Sequence, residues 1–493
     1  MTEHVQNYIN GEWVEASGEK LESRDPANGD LIATFNQATN DDVEKAVAAA
    51  KAAFPAWKAL PQPKRAEVIY KSAEVLLERK EELAQLMSRE NGKPIAEARG
   101  DVQEAIDMGF YIAAEGRRAW GHTIPAEMPN KRMYTIRQPL GVCSLITPWN
   151  FPIAIPSWKS YPALVMGNTV VFKPAEDTTL LGKRWAEILI DSGVPKGVFN
   201  MVVGHGAPIG DALVTHKDVR MINFTGSTKT GLGIASKAAP LNKRVSLEMG
   251  GKNPVIVWED GDLELAVNAV MWAGYGTSGQ RCTACSRVIV HEKVHDQFLK
   301  MLVERAPKLK VGHGAEPDSF FGAIINEGQL KKIDEYVKIG VEEGAKLECG
   351  GKVLSDGDYA KGHFYAATVF SGVKPGMRIE QEEIFGPVIS VIKVSSYDEA
   401  IQVANDVQYG LSAGFISKDV NLCHRASIDL DCGLCYINAG STGAEVSTPF
   451  GGWKNTGNGH REGGPTVIEA FSDIKTVVID YSGKVQKAQI DNN

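Results

Sequence analysis

Five short apolar runs, at residues 142–147, 169–173, 198–203, 219–225 and 244–248, constrain this chain more than any other feature. Each has the length of a strand, and most are separated by segments of helical composition such as 180–192. Strands alternating with helices imply βαβ units and a parallel sheet, because a crossover must carry the chain back before a parallel neighbour can start. Such sheets bind ligands beyond the carboxyl ends of their strands. Nearly every polar punctuation of this region falls at one of those ends: TPWNFP, KPAE, TGSTKTG and EMGGKNP.

Composition narrows the class. A length of 493 residues is too great for one core, and the length prior gives roughly three domains. Apolar residues at 43% and charged residues at 23% are ordinary for a soluble globular protein. A net charge of -8 argues against a nucleic-acid partner, which requires a basic face. No apolar run is long enough to span a bilayer, so no membrane partner is expected. The opening MTEHVQNYINGEW lacks the basic-then-apolar pattern of an export signal. Seven cysteines, an odd number, then read as reduced thiols in a cytoplasmic protein.

Outside the five runs, Asn10-Gly11 predicts a hairpin turn. Apolar spacing predicts helices over 41–57 and 64–91, and later near 295–308 and 327–344. Residues 132–138 read as a strand ended by Pro139. A second α/β region begins at 253–257 and includes a strand over 387–394. Ser396 and Glu399 have capping-box spacing before a helix over 400–406. Glycine-rich loops fall at 449–452 and 455–464. The terminal β-run, 474–481, can pair with 132–138 or extend the sheet of a neighbouring subunit.

The chemistry-bearing candidates sit in the loops. Cys282 lies in GYGTSGQRCTACS, where glycines permit tight turns and close approach. The stretch fits a nucleophile at a loop-to-helix junction, and equally a small buried thiol. Glu248, at a strand end lined by glycines, is a candidate general base. The Asn150 amide, set between prolines and aromatics, is a candidate oxyanion donor. FTGSTKTG exposes backbone N–H groups at a helix start, where phosphate binds. Gly204-x-Gly206-x-x-x-Gly210 is one residue longer than the dinucleotide fingerprint. Lys173 and Glu176 can bind ribose hydroxyls or form a solvated pair. Cys282/Cys285 and Cys432/Cys435 have CxxC spacing. Their wide separation disfavours zinc, and the second pair reads as a strand whose two thiols face opposite ways, so no metal is expected.

Taken together in this order, TPWNFP, FKPAE, FTGST, LEMGGKNP, GQRC, EEIFGPV and PFGGWK resemble the NAD(P)-dependent aldehyde dehydrogenase superfamily. The STGAEVSTPFGG loop is similar to that of semialdehyde dehydrogenases of sugar-acid catabolism, the α-ketoglutarate semialdehyde type among them. The resemblance implies an α/β fold with a Rossmann-type cofactor domain (1–120 and 140–249), an α/β catalytic domain (250–450) and a small β oligomerisation arm (121–139 and 474–493). It implies an enzyme of the EC 1.2.1 class in which Cys282 attacks the aldehyde, Asn150 and the Cys282 N–H hold the oxyanion, and Glu248 activates the deacylating water. It implies a cofactor cleft of Ile146, Thr147, Trp149, Lys173, Glu176, Gly206, Gly210, Phe224, Gly226, Ser227, Gly231, Met249, Glu383 and Phe385. Of these, Lys173 and Glu176 would hold the adenosine ribose, Ser227 the pyrophosphate and Glu383 the nicotinamide ribose. Glu176 favours NAD over NADP by repelling a 2′-phosphate, with NADP left open. The implied substrate tunnel contains Phe151, Ile155, Trp158, Arg281 and Thr283, and the implied assembly is a homodimer or homotetramer.

Two features depart from the pattern. His460 intervenes between Gly459 and Arg461, where the glycine-rich ending normally runs straight into Arg-Glu. Trp158 replaces the arginine of succinate semialdehyde enzymes, which weakens that substrate. Three other readings compete: transfer of the thioester to coenzyme A, a non-catalytic binding protein on the same scaffold, and a thiol-disulfide or zinc protein built on the CxxC pairs. Glu248 opposes the first, since hydrolysis is the step that needs a base. The Cys282, Glu248 and Asn150 set opposes the second.

Overall fold

The five apolar runs become five adjacent strands of one seven-stranded sheet in the computed structural model, which describes residues 2–485. Across the sheet the order is Arg244–Glu248, Val219–Thr225, Val142–Ile146, Thr169–Lys173 and Phe199–Met201, all parallel. The hairpin strands Asn7–Ile9 and Glu12–Val14 extend it antiparallel. Their turn has φ of 53° at Asn10 and 86° at Gly11, the left-handed geometry that Asn-Gly tolerates. From Val142–Ile146 the chain steps outward on one side and then returns to the other. Strand order therefore reverses around that strand, the place where open parallel sheets bind nucleotides.

The edge strand Arg244–Glu248 feeds through Met249–Gly250–Gly251–Lys252 into Asn253–Val257, inside a second seven-stranded sheet. That sheet runs Lys346–Cys349, Thr368–Ser371, Val388–Val394, Cys285–His291, Asn253–Val257, Ser412–Ile416 and Leu434–Ile437. Only Lys346–Cys349 is antiparallel. The carboxyl ends of the first sheet thus meet the amino ends of the second at residues 248–253. A third, separate sheet pairs Ser472–Asp480 with Lys131–Pro139, and that strand with Thr123–Ile124. Of the 474–493 segment, residues 486–493 lie outside the described residues.

Helix starts follow side-chain chemistry. Thr39 caps Asn40–Ala59 with a full capping box to Asp42. Before Tyr397–Asn405 only half of the expected box forms. Ser396 accepts from the Glu399 N–H, but the Glu399 carboxylate turns to the N–H and hydroxyl of Ser395. The helix expected over 64–91 is two, Gln62–Glu78 and Lys80–Glu90, broken at Arg79. A long helix, Ile95–Glu115, was not anticipated. Its Ala98, Val102, Ala105, Ile106 and Ile112 are buried at helical spacing. No helix among the described residues is long and apolar enough to cross a membrane.

Candidate active site

Cys282 stands where the two sheets meet. The expected loop-to-helix junction is instead a helix-to-strand one. Leu263–Tyr275 ends in a tight turn, Gly276–Gly279, and Cys282 precedes the strand Cys285–His291. Thr277 and Ser278 both adopt the left-handed region, with φ of 50° and 57°. Such backbone persists only where surrounding contacts enforce it. Glu97 does so, accepting from Thr277 N at 2.9 Å and from the Thr277 hydroxyl. Ser278 donates to Gly322 O at 2.8 Å. Below the thiol, Asn253 donates to Cys282 O at 2.7 Å and Ala284 O at 2.9 Å, and Ser441 to Thr283 O at 2.8 Å. The Gly250-Gly251 pair has a steric reason. A Cβ on Gly250 would lie 2.5 Å from the Glu383 carboxylate, and one on Gly251 2.4 Å from Cys282 O.

The thiol is half-buried and reduced. Burial pushes its pKa up to about 12, with Glu383 and Glu248 adding to the push and the N–H groups of Thr283 and Cys282 opposing it. Asn150 is buried against the same loop, one amide N–H donated to Gln280 O at 3.2 Å. Its second N–H is left over for another acceptor. Lys93 holds the Asn150 carbonyl at 2.7 Å and is itself paired with Asp101 at 2.8 Å, both charges fully buried.

Glu248 ends its strand 4% exposed, with Oε1 lacking a hydrogen-bond partner among the described residues. Burial raises its carboxyl well above the ordinary range, Glu462 raises it further, and Lys159 and Arg461 pull the other way. Lys159 is engaged by Glu462 and Asn223, so it is not free for an anionic substrate. The extra His460 is absorbed within the 455–461 loop. Glu462 still pairs backbone to backbone with Phe450, and Gly457 with Glu248.

The cofactor candidates gather at the carboxyl ends of the first sheet. Ile146, Lys173 and Phe224 are register partners across three strands. Lys173 is buried, which lowers its pKa, and donates to Pro174 O at 3.0 Å and Glu176 at 3.4 Å. Burial alone would raise the Glu176 carboxyl, but Lys173 and His205 hold it below its usual value. His205, 3.0 Å from Glu176, is a member of this cluster that the sequence did not single out. Ser227 caps the helix Thr228–Ala238, and Gly206 opens Gly206–Thr215. Neither helix has an acidic residue in its first turn, so both positive ends remain available to a phosphate. Phe224, Met249 and Gly231 pack together beneath that end, where a Cβ on Gly231 would lie 2.4 Å from the Met249 sulfur. Gly226 abuts the Phe224 ring, and a Cβ on Gly210 would meet open space. Thr147 bonds Lys173 O, and Trp149 packs edge-on against Phe385 at 5.5 Å. Glu383 accepts from Gly251 N at 2.9 Å. Polar residues for two riboses and open helix ends between them fit a dinucleotide.

A cavity of about 350 Å³ leads to Cys282. Phe151, Ile155, Trp158 and Thr283 line it as expected, with Trp272 and Phe450. Arg281 lines it too, but its guanidinium is engaged by Glu97 and stacked 5.3 Å over Trp272. The second CxxC differs from expectation. The strand is Leu434–Ile437, so Cys432 precedes it, and the two thiols lie close enough to couple their titrations instead of facing apart. Cys285 is buried and hydrogen-bonds Arg287 O, away from Cys282.

A nucleotide cleft opening onto a half-buried thiol, a buried carboxylate and a buried amide defines a class: a Rossmann-type oxidoreductase with a covalent acyl-enzyme route. The aldehyde dehydrogenase family matches residues 13–477, and the chain belongs to that family. It is 41% identical over 475 residues to the α-ketoglutaric semialdehyde dehydrogenase of Bacillus subtilis, covering 96% of this chain and 97% of that one. It is also 41% identical to the α-ketoglutarate semialdehyde dehydrogenase of Haloferax volcanii, covering 98% and 100%. Among solved structures it is similar to betaine aldehyde dehydrogenase from Staphylococcus aureus in complex with NAD+, at a TM-score of 0.96 and 35% identity, covering 98% and 96%.

Proposed function

We propose that this chain oxidises a semialdehyde bearing an oxygen-rich tail, of the α-ketoglutarate semialdehyde kind, to the acid with NAD. Membership of the family makes it an NAD(P)-dependent aldehyde dehydrogenase. The substrate reading rests on the two relatives named for that semialdehyde. The observation that carries the chemistry is the pairing, in one cavity, of the Cys282 thiol with a buried Glu248 carboxyl oxygen that has no hydrogen-bond partner among the described residues.

In this reading Cys282 adds to the aldehyde carbonyl, and the Asn150 amide and the Cys282 N–H receive the oxyanion. Losing one such donor typically lowers the rate about a hundredfold or more. NAD, when bound, supplies the acceptor for the hydride lost by the thiohemiacetal. Glu248 then takes a proton from the water that hydrolyses the thioester on Cys282, dividing one hard oxidation into two easier steps. Burial and the neighbouring Glu462 raise its pKa well above that of an ordinary carboxyl, which strengthens it as a base once ionised. Lys173 and Glu176 would hold the adenosine ribose, the Ser227 helix end the pyrophosphate and Glu383 the second ribose. Residues 1–120 and 140–249 would then be the cofactor domain, 250–450 the catalytic domain, and 121–139 with 474–493 an arm joining two or four copies of a cytoplasmic enzyme.

The test is NAD and NADP reduction by the wild type and by Cys282→Ala, over aliphatic, aromatic and carboxylate-bearing aldehydes. The expected result is NAD reduction by the wild type, fastest with α-ketoglutarate semialdehyde, and none by the variant. Full activity in Cys282→Ala would remove the covalent route. An inert wild type would remove the enzyme reading.

A further inference from the structure

One half-buried carboxyl near the reaction, Glu104, has no part in it. The helix Ile95–Glu115 presents Glu97, Asp101 and Glu104 to the cavity. They lie at i, i+4 and i+7, on one helical face. Two of the three are engaged. Glu97 grips Thr277 and Arg281, and Asp101 pairs with Lys93 while accepting from Ala154 N at 2.8 Å. Glu104 forms no ion pair among the described residues. Beside it lies the Trp158 indole N–H, which is buried and lines the same cavity; it lies near enough to Glu104 to favour the ionised carboxylate, but among the described residues it completes no well-formed hydrogen bond. Burying an indole N–H with nothing to bond is unfavourable unless a ligand supplies the acceptor.

The protonation state of Glu104 decides what such a ligand must be. The groups facing it are Asp101 on its own helix, Lys93 before that helix, Trp158 on Ala154–Val165 and Arg281 on the cysteine loop. Burial and Asp101 push its pKa up, while Lys93, the Trp158 N–H and Arg281 hold it down, and the balance is about 8. At neutral pH the carboxyl is mostly protonated and donates a hydrogen bond. Arg281 and Lys93 are both held by carboxylates and Lys159 by Glu462, so none of these cations is free for an anionic tail. The two neutral donors are what remains.

We propose that Glu104 and the Trp158 indole N–H form a donor pair that reads an oxygen acceptor, a carbonyl or carboxylate, at the far end of the aldehyde. This rests on the aldehyde-oxidising reading above and adds a specificity determinant to it. A tail-less aldehyde leaves both donors unmatched, and an ammonium tail meets an N–H where it needs an acceptor. Sites built to hydrogen-bond a substrate group discriminate strongly against analogues that lack it.

The experiment compares wild type, Glu104→Gln and Glu104→Leu on α-ketoglutarate semialdehyde, pentanal and 4-aminobutanal. Gln keeps a donor and Leu removes it. The expected result is that Glu104→Leu lowers kcat/KM for the oxo-acid semialdehyde at least about tenfold more than for pentanal, while Glu104→Gln stays within about threefold of wild type on that ratio. The wild-type KM for the oxo-acid semialdehyde should rise above pH 8, as the carboxyl ionises, and that rise should vanish in Glu104→Gln. Calorimetric binding of 2-oxoglutarate to the three proteins gives a readout without turnover and should weaken in Glu104→Leu alone. Equal losses in Gln and Leu, or a wild-type preference for 4-aminobutanal, would overturn the proposal in favour of an ionised carboxylate reading a cation. Losses equal across all aldehydes would reduce Glu104 to packing. Pentanal turnover judges the parent reading separately, since it needs no tail.

Discussion

At the scale of single residues, the nucleophile is an acidic-environment thiol. Burial, Glu383 and Glu248 together push Cys282 up to about 12. A raised pKa means less thiolate at neutral pH and a thiolate fraction that keeps climbing as pH rises. Iodoacetamide modification of the cofactor-free enzyme should accelerate about tenfold per pH unit through pH 9.5, without the plateau of an ordinary thiol. Mass spectrometry of the Cys282 peptide measures it. A plateau by pH 8 would mean that the pocket stabilises the thiolate and that the surrounding carboxylates do not govern it. The proposed reactive residues stand out in the sequence because motif and physics coincide. Cys282, Glu248 and Asn150 sit at strand ends and glycine turns, and the Gly250-Gly251 pair is demanded by the Glu383 carboxylate and Cys282 O. The supporting residues were not legible. Asn253 grips the carbonyl of Cys282 and Ser441 that of Thr283, 158 positions earlier, and no local pattern marks an amide or hydroxyl for such a partner.

At the scale of elements, the turn Gly276–Gly279 depends on a helix far away in sequence. Two non-glycine residues with positive φ carry strain of order 1–3 kcal/mol each, and Glu97 is the side chain that bonds Thr277 through both its N–H and its hydroxyl. Glu97→Ala should therefore destabilise the protein by about 1–3 kcal/mol through the orphaned N–H and lower kcat at least about tenfold through the displaced thiol. Chemical denaturation and steady-state kinetics read the two effects. Glu97→Gln, which keeps an acceptor, should recover most of the stability. Unchanged kcat in Glu97→Ala would show that the turn holds its shape without the helix. Ile95–Glu115 had the apolar period of a helix, so its existence was readable. Which of its acidic residues turn toward a turn 180 residues on was not, because that depends on how the helix docks. The single helix expected over 64–91 has the converse lesson: an unbroken helical composition hides a break at Arg79, where the backbone leaves the helical region.

At the scale of the whole molecule, the sheet of Ser472–Asp480, Lys131–Pro139 and Thr123–Ile124 stands apart from both large sheets. The terminal run had two open readings, and the structure takes the first, pairing from Ser472 opposite Pro139 to Asp480 opposite Lys131. The second remains physically open, because Ser472–Asp480 is an edge strand. Its Ile474 is 60% exposed, Val478 53% and Ile479 48%, and Ile136 on the neighbouring strand is 42% exposed. An apolar edge strand left bare invites pairing with another chain, and proteins that stay monomeric blunt such edges with charge or proline. No proline interrupts Ile474–Ile479, and Lys475 is its sole charge. A second copy of this chain, docking through the arm, is the occupant consistent with that surface. Ile474→Asp combined with Val478→Asp puts two charges on one face of the strand without touching either large sheet or the thiol. Light scattering coupled to size exclusion should report a dimer or tetramer for the wild type and a smaller species for the double variant, with the far-ultraviolet dichroism of the subunit preserved. If the double variant keeps the wild-type mass, the arm is not the joint, and the copies, if any, meet elsewhere on the surface.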